Sequence, residues 1–241
     1  MITVLIAGIL GFIISFSAIP LFIKQMQKLK LGQLIREEGP AAHQHKAGTP
    51  TMAGLIFIPA AVVAYLLALL INAAVFGTSP VPSATALLTL GFTLGMLGVG
   101  AADDIMKFRN QGNEGLTENQ KTIGLLAVTL PFAYLVFQFP NAAGVTPAST
   151  AISFVRDLSF DFMAAGAIGG TILMVLWITL ISLSGTNAVN FTDGLDGLAG
   201  GATMTIFTGY LAVTIWQYVH ACSGGAGNAC YDVRDPGSLA L

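Results

Sequence analysis

Charged side chains are missing from five long windows, 1–23, 47–102, 122–155, 162–192 and 197–231, and nothing else in the sequence constrains the fold as strongly. A helix needs only about 20 apolar residues to cross the hydrocarbon of a bilayer. The 47–102 window holds two such spans, divided by the turn-rich "GTSPVPS" at 77–83. The expectation is an all-α, polytopic membrane protein of about six transmembrane helices, near 1–23, 52–76, 84–102, 122–140, 163–184 and 198–219. Composition agrees, because 9% of residues are charged against about 25% in soluble domains. The first window is too long for a signal-peptide core. It also lacks a basic start and a small-residue cleavage site before Lys24, so it counts as a helix.

The placement of the basic residues orients the chain. Lys24, Lys28, Lys30, Arg36 and Lys46 fall between helices 1 and 2, and Lys107, Arg109 and Lys121 between helices 3 and 4. Only Arg156 and Arg234 fall in connections of the other parity. Lys and Arg concentrate in cytoplasmic loops. The N-terminus is therefore expected outside, with loops 24–51, 103–121 and 185–197 in the cytoplasm of a single transmembrane domain covering 1–241. Cys222 and Cys230 follow helix 6 on the outer side, a compartment that permits a disulfide, and two unpaired thiols are the alternative. No internal repeat is present and no nucleic-acid partner is expected.

Loops separated by two spans emerge on the same face, so "HQHKAGTPTMAG" (43–54), "ADDIMKFRN" (102–110) and "NAVNFTDGLDGLAGG" (187–201) can converge at the inner interface. In the last, Asn187, Asn190, Asp193 and Asp196 recur every third residue and cluster on one side of a helical turn or tight loop. They form a set of hard oxygen donors suited to Mg²⁺ or to a sugar and base. Gly194, Gly197, Gly200 and Gly201 permit close backbone approach. Capping of helix 6 and helix packing are the plainer reading, but one cap needs one such residue and four are present. In the second loop Asp103 and Asp104 stand side by side, with Lys107 and Lys121 downstream. Ionisable groups at a membrane mark function by default. A bound cation would relieve the repulsion of adjacent carboxylates, as would Lys107 acting from the same helix face. The first loop offers His43, His45, Lys46, Thr49 and Thr51, of which Lys46 and the threonines suit phosphate or uracil oxygens. Histidines two residues apart are weak evidence for metal. Cations for phosphates, carboxylates for a metal and a membrane interface point together to transfer of a phosphorylated group onto a lipid.

These three segments, in this order and spacing, resemble the bacterial phospho-N-acetylmuramoyl-pentapeptide transferases of the polyprenyl-phosphate N-acetylhexosamine-1-phosphate transferase superfamily. The resemblance covers nearly the whole chain, and Lys46 followed by "GTPTM" favours the muramoyl-pentapeptide branch. It implies a Mg²⁺-dependent enzyme in the bacterial cytoplasmic membrane. That enzyme takes UDP-MurNAc-pentapeptide and undecaprenyl phosphate to lipid I and UMP on the cytoplasmic face, in peptidoglycan synthesis. By the same resemblance Asp103 and Asp104 are catalytic carboxylates, with Asp103 positioning or deprotonating the lipid phosphate and Lys107 and Lys121 beside them. Lys46, Thr49, Thr51, Asn187, Asn190, Asp193 and Asp196 contact the nucleotide sugar, and Asp104, Asn190 and Asp193 take the metal. Its partners are the two substrates and the bilayer, with a homodimer left open.

The resemblance also implies about ten spans and two further cytoplasmic motifs, an acidic "GDTGS" loop and a histidine-rich loop, which this sequence does not contain. The 241 residues read as an N-terminal portion, expected to be inactive or nearly so alone. Three alternatives stay open: a GlcNAc-1-phosphate transferase acting on the same lipid, a transporter, and a non-catalytic membrane fragment. A transporter would place carboxylates in mid-span, whereas these sit at span ends.

Overall fold

The computed structural model describes residues 2–29, 50–110, 115–141, 144–153, 157–193, 197–222 and 234. Its helices are α1 (Ile2–Lys28), α2 (Gly54–Phe76), α3 (Ala84–Arg109), α4 (Glu118–Leu135), α5 (Gly166–Thr192) and α6 (Leu198–Val219). Among the described residues six helices form, close to the six expected spans. Among the described residues five segments are long and apolar enough to cross a membrane: α1, α2, α3, α5 with the short 3-10 turn before it, and α6. The chain is a polytopic, all-α membrane protein.

The fourth helix is the exception. It opens on the polar Glu118, Asn119, Gln120 and Lys121, and it stops at Leu135, five residues before the expected end. Beyond Leu135 the chain tightens into three-residue turns, with Phe137 N–H donating to the Tyr134 carbonyl and Gln138 N–H to that of Leu135. Its apolar part, 122–135, rises only about 21 Å at 1.5 Å per residue, short of the ~30 Å of a hydrocarbon core.

Contacts divide the chain into two compact units. One gathers Ile2–Val81 and Leu90–Leu125, the other Pro82–Thr89 and Leu126–Leu241. In the first, α1 packs on α2 through small residues: Ala7, Ala60, Ala64 and Ala68 are buried, and a Cβ added to Gly11 would lie 3.6 Å from that of Ala64. Thr3 donates its hydroxyl to Asn72 Oδ1 at 3.0 Å, a polar tie between two apolar helices. Gly77, in the left-handed region at φ 67, closes α2 by donating its N–H to the Ala73 carbonyl. The bulky side chains Leu5, Phe12, Phe16 and Val75 point outward. Small residues inside and large apolar ones outside is the arrangement a lipid solvent favours, because packing and not water exclusion holds membrane helices together.

In the second unit Thr129 and Ala133 of α4, and Val136 just past its end, are buried. Between α4 and α5 lies a small antiparallel hairpin, absent from the sequence expectation: β1 (Ala151–Ser153) pairs with β2 (Asp157–Asp161), Ala151 opposite Asp161 and Ser153 opposite Asp157, with an irregularity between. Asp161 accepts the N–H of Met163 and caps the following 3-10 turn, Phe162–Ala165. Gly170 lies so close to that turn that a Cβ would come within 2.8 Å of the Phe162 carbonyl oxygen, so α5 seats there only with glycine. The Arg234 guanidinium donates to the carbonyls of Phe139 and Val145, closing the connection after α4. Cys222 is disulfide-bonded; Cys230 lies outside the described residues.

Two expected loops turn out largely helical. The helix of α3 runs on through Asp103, Asp104 and Lys107 to Arg109, and α5 runs on through Asn187 and Asn190 to Thr192. In α5 the polar side chains satisfy themselves on the helix: Thr186 donates to the Ser182 carbonyl, Asn187 to that of Leu183, and Thr192 to that of Ala188. The chain can therefore leave the apolar layer without unwinding. Lengths of 26 and 27 residues correspond to about 40 Å of helix each, so one to two turns project past a ~30 Å core.

Candidate functional site

The acidic pair stands on α3 at a defined depth. Asp103 and Asp104 follow Ala84 by 19 and 20 residues, or about 29–30 Å along the axis, the thickness of a hydrocarbon core. Their repulsion is already answered by a side chain. Lys107 Nζ lies 2.6 Å from Asp103 Oδ2 and 3.1 Å from Asp104 Oδ1, one turn on along the same face. The second oxygen of Asp103, Oδ1, accepts the backbone N–H of Leu116 at 2.9 Å. Asp103 is thus held at both oxygens and 16% exposed, while Asp104 is 32% exposed. Of the pair, Asp104 is the carboxylate more open to an incoming ligand.

Lys121 is placed by a reciprocal cap at the start of α4. Thr117 Oγ1 accepts the N–H of Gln120, and Gln120 Oε1 accepts the N–H of Thr117. This fixes the first turn, in which Lys121 N–H donates to the Thr117 carbonyl. Lys121 stands between Leu116, which is bonded to Asp103, and Gly124, where an added Cβ would meet Val99 of α3 at 3.3 Å. One unit of the protein therefore brings together Asp103, Asp104, Lys107 and Lys121.

The polar end of α5 is built differently. Asn187 and Asn190 are exposed on its last two turns, three residues apart and so neighbours on the helix surface, and Asp193 is exposed at the C-cap. Asn187 spends one donor on the Leu183 carbonyl at 2.8 Å. Phe191, beside them, is 86% exposed, an aromatic face at a polar helix end that the sequence expectation passed over. Gly197, at φ 76, opens α6 in the left-handed region. Asp196, Gly194, His43, His45, Lys46 and Thr49 lie outside the described residues. Thr51, just before α2, has a buried hydroxyl with no hydrogen-bond partner, and the next residue, Met52, sits at φ 65. A buried orphan hydroxyl beside a left-handed non-glycine residue is the kind of local cost that collects at functional positions.

The donors suit a divalent cation. Each unit offers hard oxygen atoms of its own, the part-exposed Asp104 in the first and the exposed Asn190 and Asp193 in the second. Mg²⁺ is commonly held by one or two carboxylates, with water and substrate phosphates completing its shell. Among the described residues no three acidic, histidine or cysteine side chains gather as a group that could hold a metal by themselves. The cavity of about 300 Å³ lined by Leu88, Phe132, Val136, Ile178 and Ser182 contains none of the candidate residues. Its α3 wall, Thr85 to Thr89, precedes Asp103 by 14 or more residues, about 21 Å along that helix.

Fold and site define a polytopic membrane protein with an acid–lysine cluster at the end of one span and an amide–acid cluster at the end of another. Residues 86–228 match the glycosyl transferase family 4, and the chain belongs to that family. Over its whole length it is 46% identical to the phospho-N-acetylmuramoyl-pentapeptide-transferase of Kocuria rhizophila. It is 43% and 44% identical to the proteins of the same name from Corynebacterium jeikeium and Micrococcus luteus. The chain spans 64%, 66% and 64% of the length of these three relatives.

Proposed function

We propose that this chain carries the acid–lysine part of the site of a phospho-N-acetylmuramoyl-pentapeptide transferase at the cytoplasmic face of a bacterial membrane. The observation that carries the reading is Lys107 bridging Asp103 and Asp104 at the end of the α3 span. Support comes from whole-length similarity to relatives bearing that name. The reaction joins undecaprenyl phosphate to the sugar-bearing phosphate of UDP-MurNAc-pentapeptide. A phosphate oxygen of the lipid forms the new P–O bond, the bond to the uridylyl phosphate breaks, and UMP leaves with its electron pair.

The residues divide that work. A phosphate monoester has a second pKa near ~6, so the lipid nucleophile is largely dianionic at neutral pH and needs little help from a base. The harder task is bringing two anions together. Lys107 and Lys121, part-exposed beside the end of the α3 span, supply positive charge for it. In this reading Asp104, the more open carboxylate of the pair, takes a cation, and Asn190 and Asp193 are further candidate ligands. Mg²⁺ bound there would withdraw charge from the pyrophosphate and ease departure of UMP. Lys46, Thr49, Thr51, Asn187 and Asp196 complete the nucleotide-sugar contacts in this reading, and a homodimer is compatible with it.

The test is a transfer assay in lipid micelles containing undecaprenyl phosphate and Mg²⁺. It uses this chain and a chimera completed with the remaining third of the Kocuria rhizophila relative. The chimera is expected to release UMP from UDP-MurNAc-pentapeptide and form the lipid-linked sugar, with UDP-GlcNAc giving background only. Release of UMP from UDP-GlcNAc instead, or no transfer from either donor, overturns the reading.

A further inference from the structure

The connection between α3 and α4 contains a contact that the reaction alone does not explain. At Gly115 the backbone runs directly against Asp103. A Cβ there would lie 2.8 Å from Asp103 Cγ and 2.8 Å from its carbonyl oxygen, and closer still to Oδ1. All three obstacles belong to a helix backbone or a doubly held carboxylate, and neither can swing aside as a flexible side-chain tip can. The next residue, Leu116, donates its N–H to Asp103 Oδ1, and Thr117 then starts the cap of α4. A second close approach follows: a Cβ on Gly124 would meet Val99 Cγ1 at 3.3 Å. Lys121 lies between the two pinned points, in a helical turn whose start is fixed.

We propose that Gly115 and Asp103 form a positioning latch. Because residue 115 has no side chain, Asp103 can hold the Leu116 N–H, and that hold sets Lys121 at the acidic pair as an anchor for a pyrophosphate group. The inference rests on the proposed function for its substrate class, while the latch itself stands on geometry alone. Gly115 is a positioning residue, acting through Asp103 and Lys121 without touching substrate.

Two measurements on the purified 241-residue chain in micelles test it. The first is the backbone amide resonance of Leu116 in ¹⁵N-leucine-labelled protein, assigned by loss of the peak in Leu116→Ile. An N–H donating to a carboxylate resonates downfield, and Gly115→Ala is expected to abolish that shift while circular dichroism and the melting midpoint show a folded chain. An unmoved Leu116 amide in folded Gly115→Ala overturns the latch. Should Gly115→Ala fail to fold, Asp103→Ala must abolish the same downfield shift, and its persistence overturns the latch equally. The second is inorganic pyrophosphate binding by titration calorimetry across Gly115→Ala, Lys121→Met and the double variant. Each single change is expected to weaken binding about fivefold, the scale of one part-exposed charge, and the double variant no further, since both act through Lys121. Additive losses, or no pyrophosphate binding by the unmodified chain, overturn the placement of Lys121. If latch and pyrophosphate binding both hold while the transfer assay fails, the proposed reaction is overturned instead.

Discussion

The polar ends of α3 and α5 carry similar residue types, yet they are held in opposite ways. At the end of α3 the side chains are tied to one another along the helix and, through Asp103, to the connection that follows. Lys107 joins two carboxylates, Leu116 from the following connection donates to Asp103, and a threonine–glutamine cap fixes Lys121. At the end of α5 the ties are to the helix itself, Asn187 to Leu183 and Thr192 to Ala188, while Asn190, Phe191 and Asp193 are exposed. The first arrangement is pre-organised, and the second is a row of donors ready to adapt. Pre-organised charge lowers a barrier because nothing has to reorient as charge moves, whereas adaptable amides suit a substrate group whose main need is recognition. Under the proposed function, this difference would put chemistry at α3 and selectivity at α5.

The strongest way to break that division is Asp104→Asn in the completed chimera. It removes the more open charge of the pair without changing shape, and transfer is expected to fall by at least about a hundredfold, the scale seen when one group aimed at developing charge is lost. Expression and helical content should stay normal. Near-normal turnover by a folded Asp104→Asn protein would sink the assignment of chemistry to α3.

A finer test lies within α5. Asn190→Ala is expected to raise the KM for UDP-MurNAc-pentapeptide about tenfold with little change in kcat, as expected for one lost hydrogen bond to a charged or strongly polar group. Asn187→Ala should raise it less than about twofold, because one donor of that amide is already committed to the Leu183 carbonyl at 2.8 Å. Equal effects at the two positions would show that the helix-bound amide is released on binding, and the contrast between them would fail.

Much of this contrast was legible in the sequence, and the rest was hidden for physical reasons. Charge-free windows located six helices, because a bilayer imposes length and apolarity together. Spacing placed Asp103, Asp104 and Lys107 on one face once a helix was assumed. The windows misjudged where helices end, since they register where apolarity stops, and α3 and α5 continue as helix through polar residues that satisfy themselves locally. Gly115 could not be read at all, since a glycine in a connection ordinarily signals only a turn. Its role exists only because Asp103, twelve residues earlier, folds back against it. The cap "TENQ" at 117–120 was available as a threonine with a glutamine three residues on, and it would have placed the start of α4 four residues before 122. The small hairpin, β1 with β2, has strands of three and five residues, too short to show a clear alternation.

The smallest expected effect separates stability from function at Thr51. Its hydroxyl is buried and without a partner, beside Met52 in the left-handed region. Burying an unbonded hydroxyl costs on the order of 1–3 kcal/mol. Thr51→Val, which keeps the shape and removes the polar atom, should therefore stabilise the chain by about 1 kcal/mol and raise the melting midpoint by a few degrees. If the hydroxyl is kept for the nucleotide sugar, the same variant should bind UDP-MurNAc-pentapeptide a few-fold more weakly, so that stability and affinity move in opposite directions. A stabilised variant with unchanged affinity would remove Thr51 from the site. The recognition role would then rest on α5 alone, sharpening the division between the two helix ends.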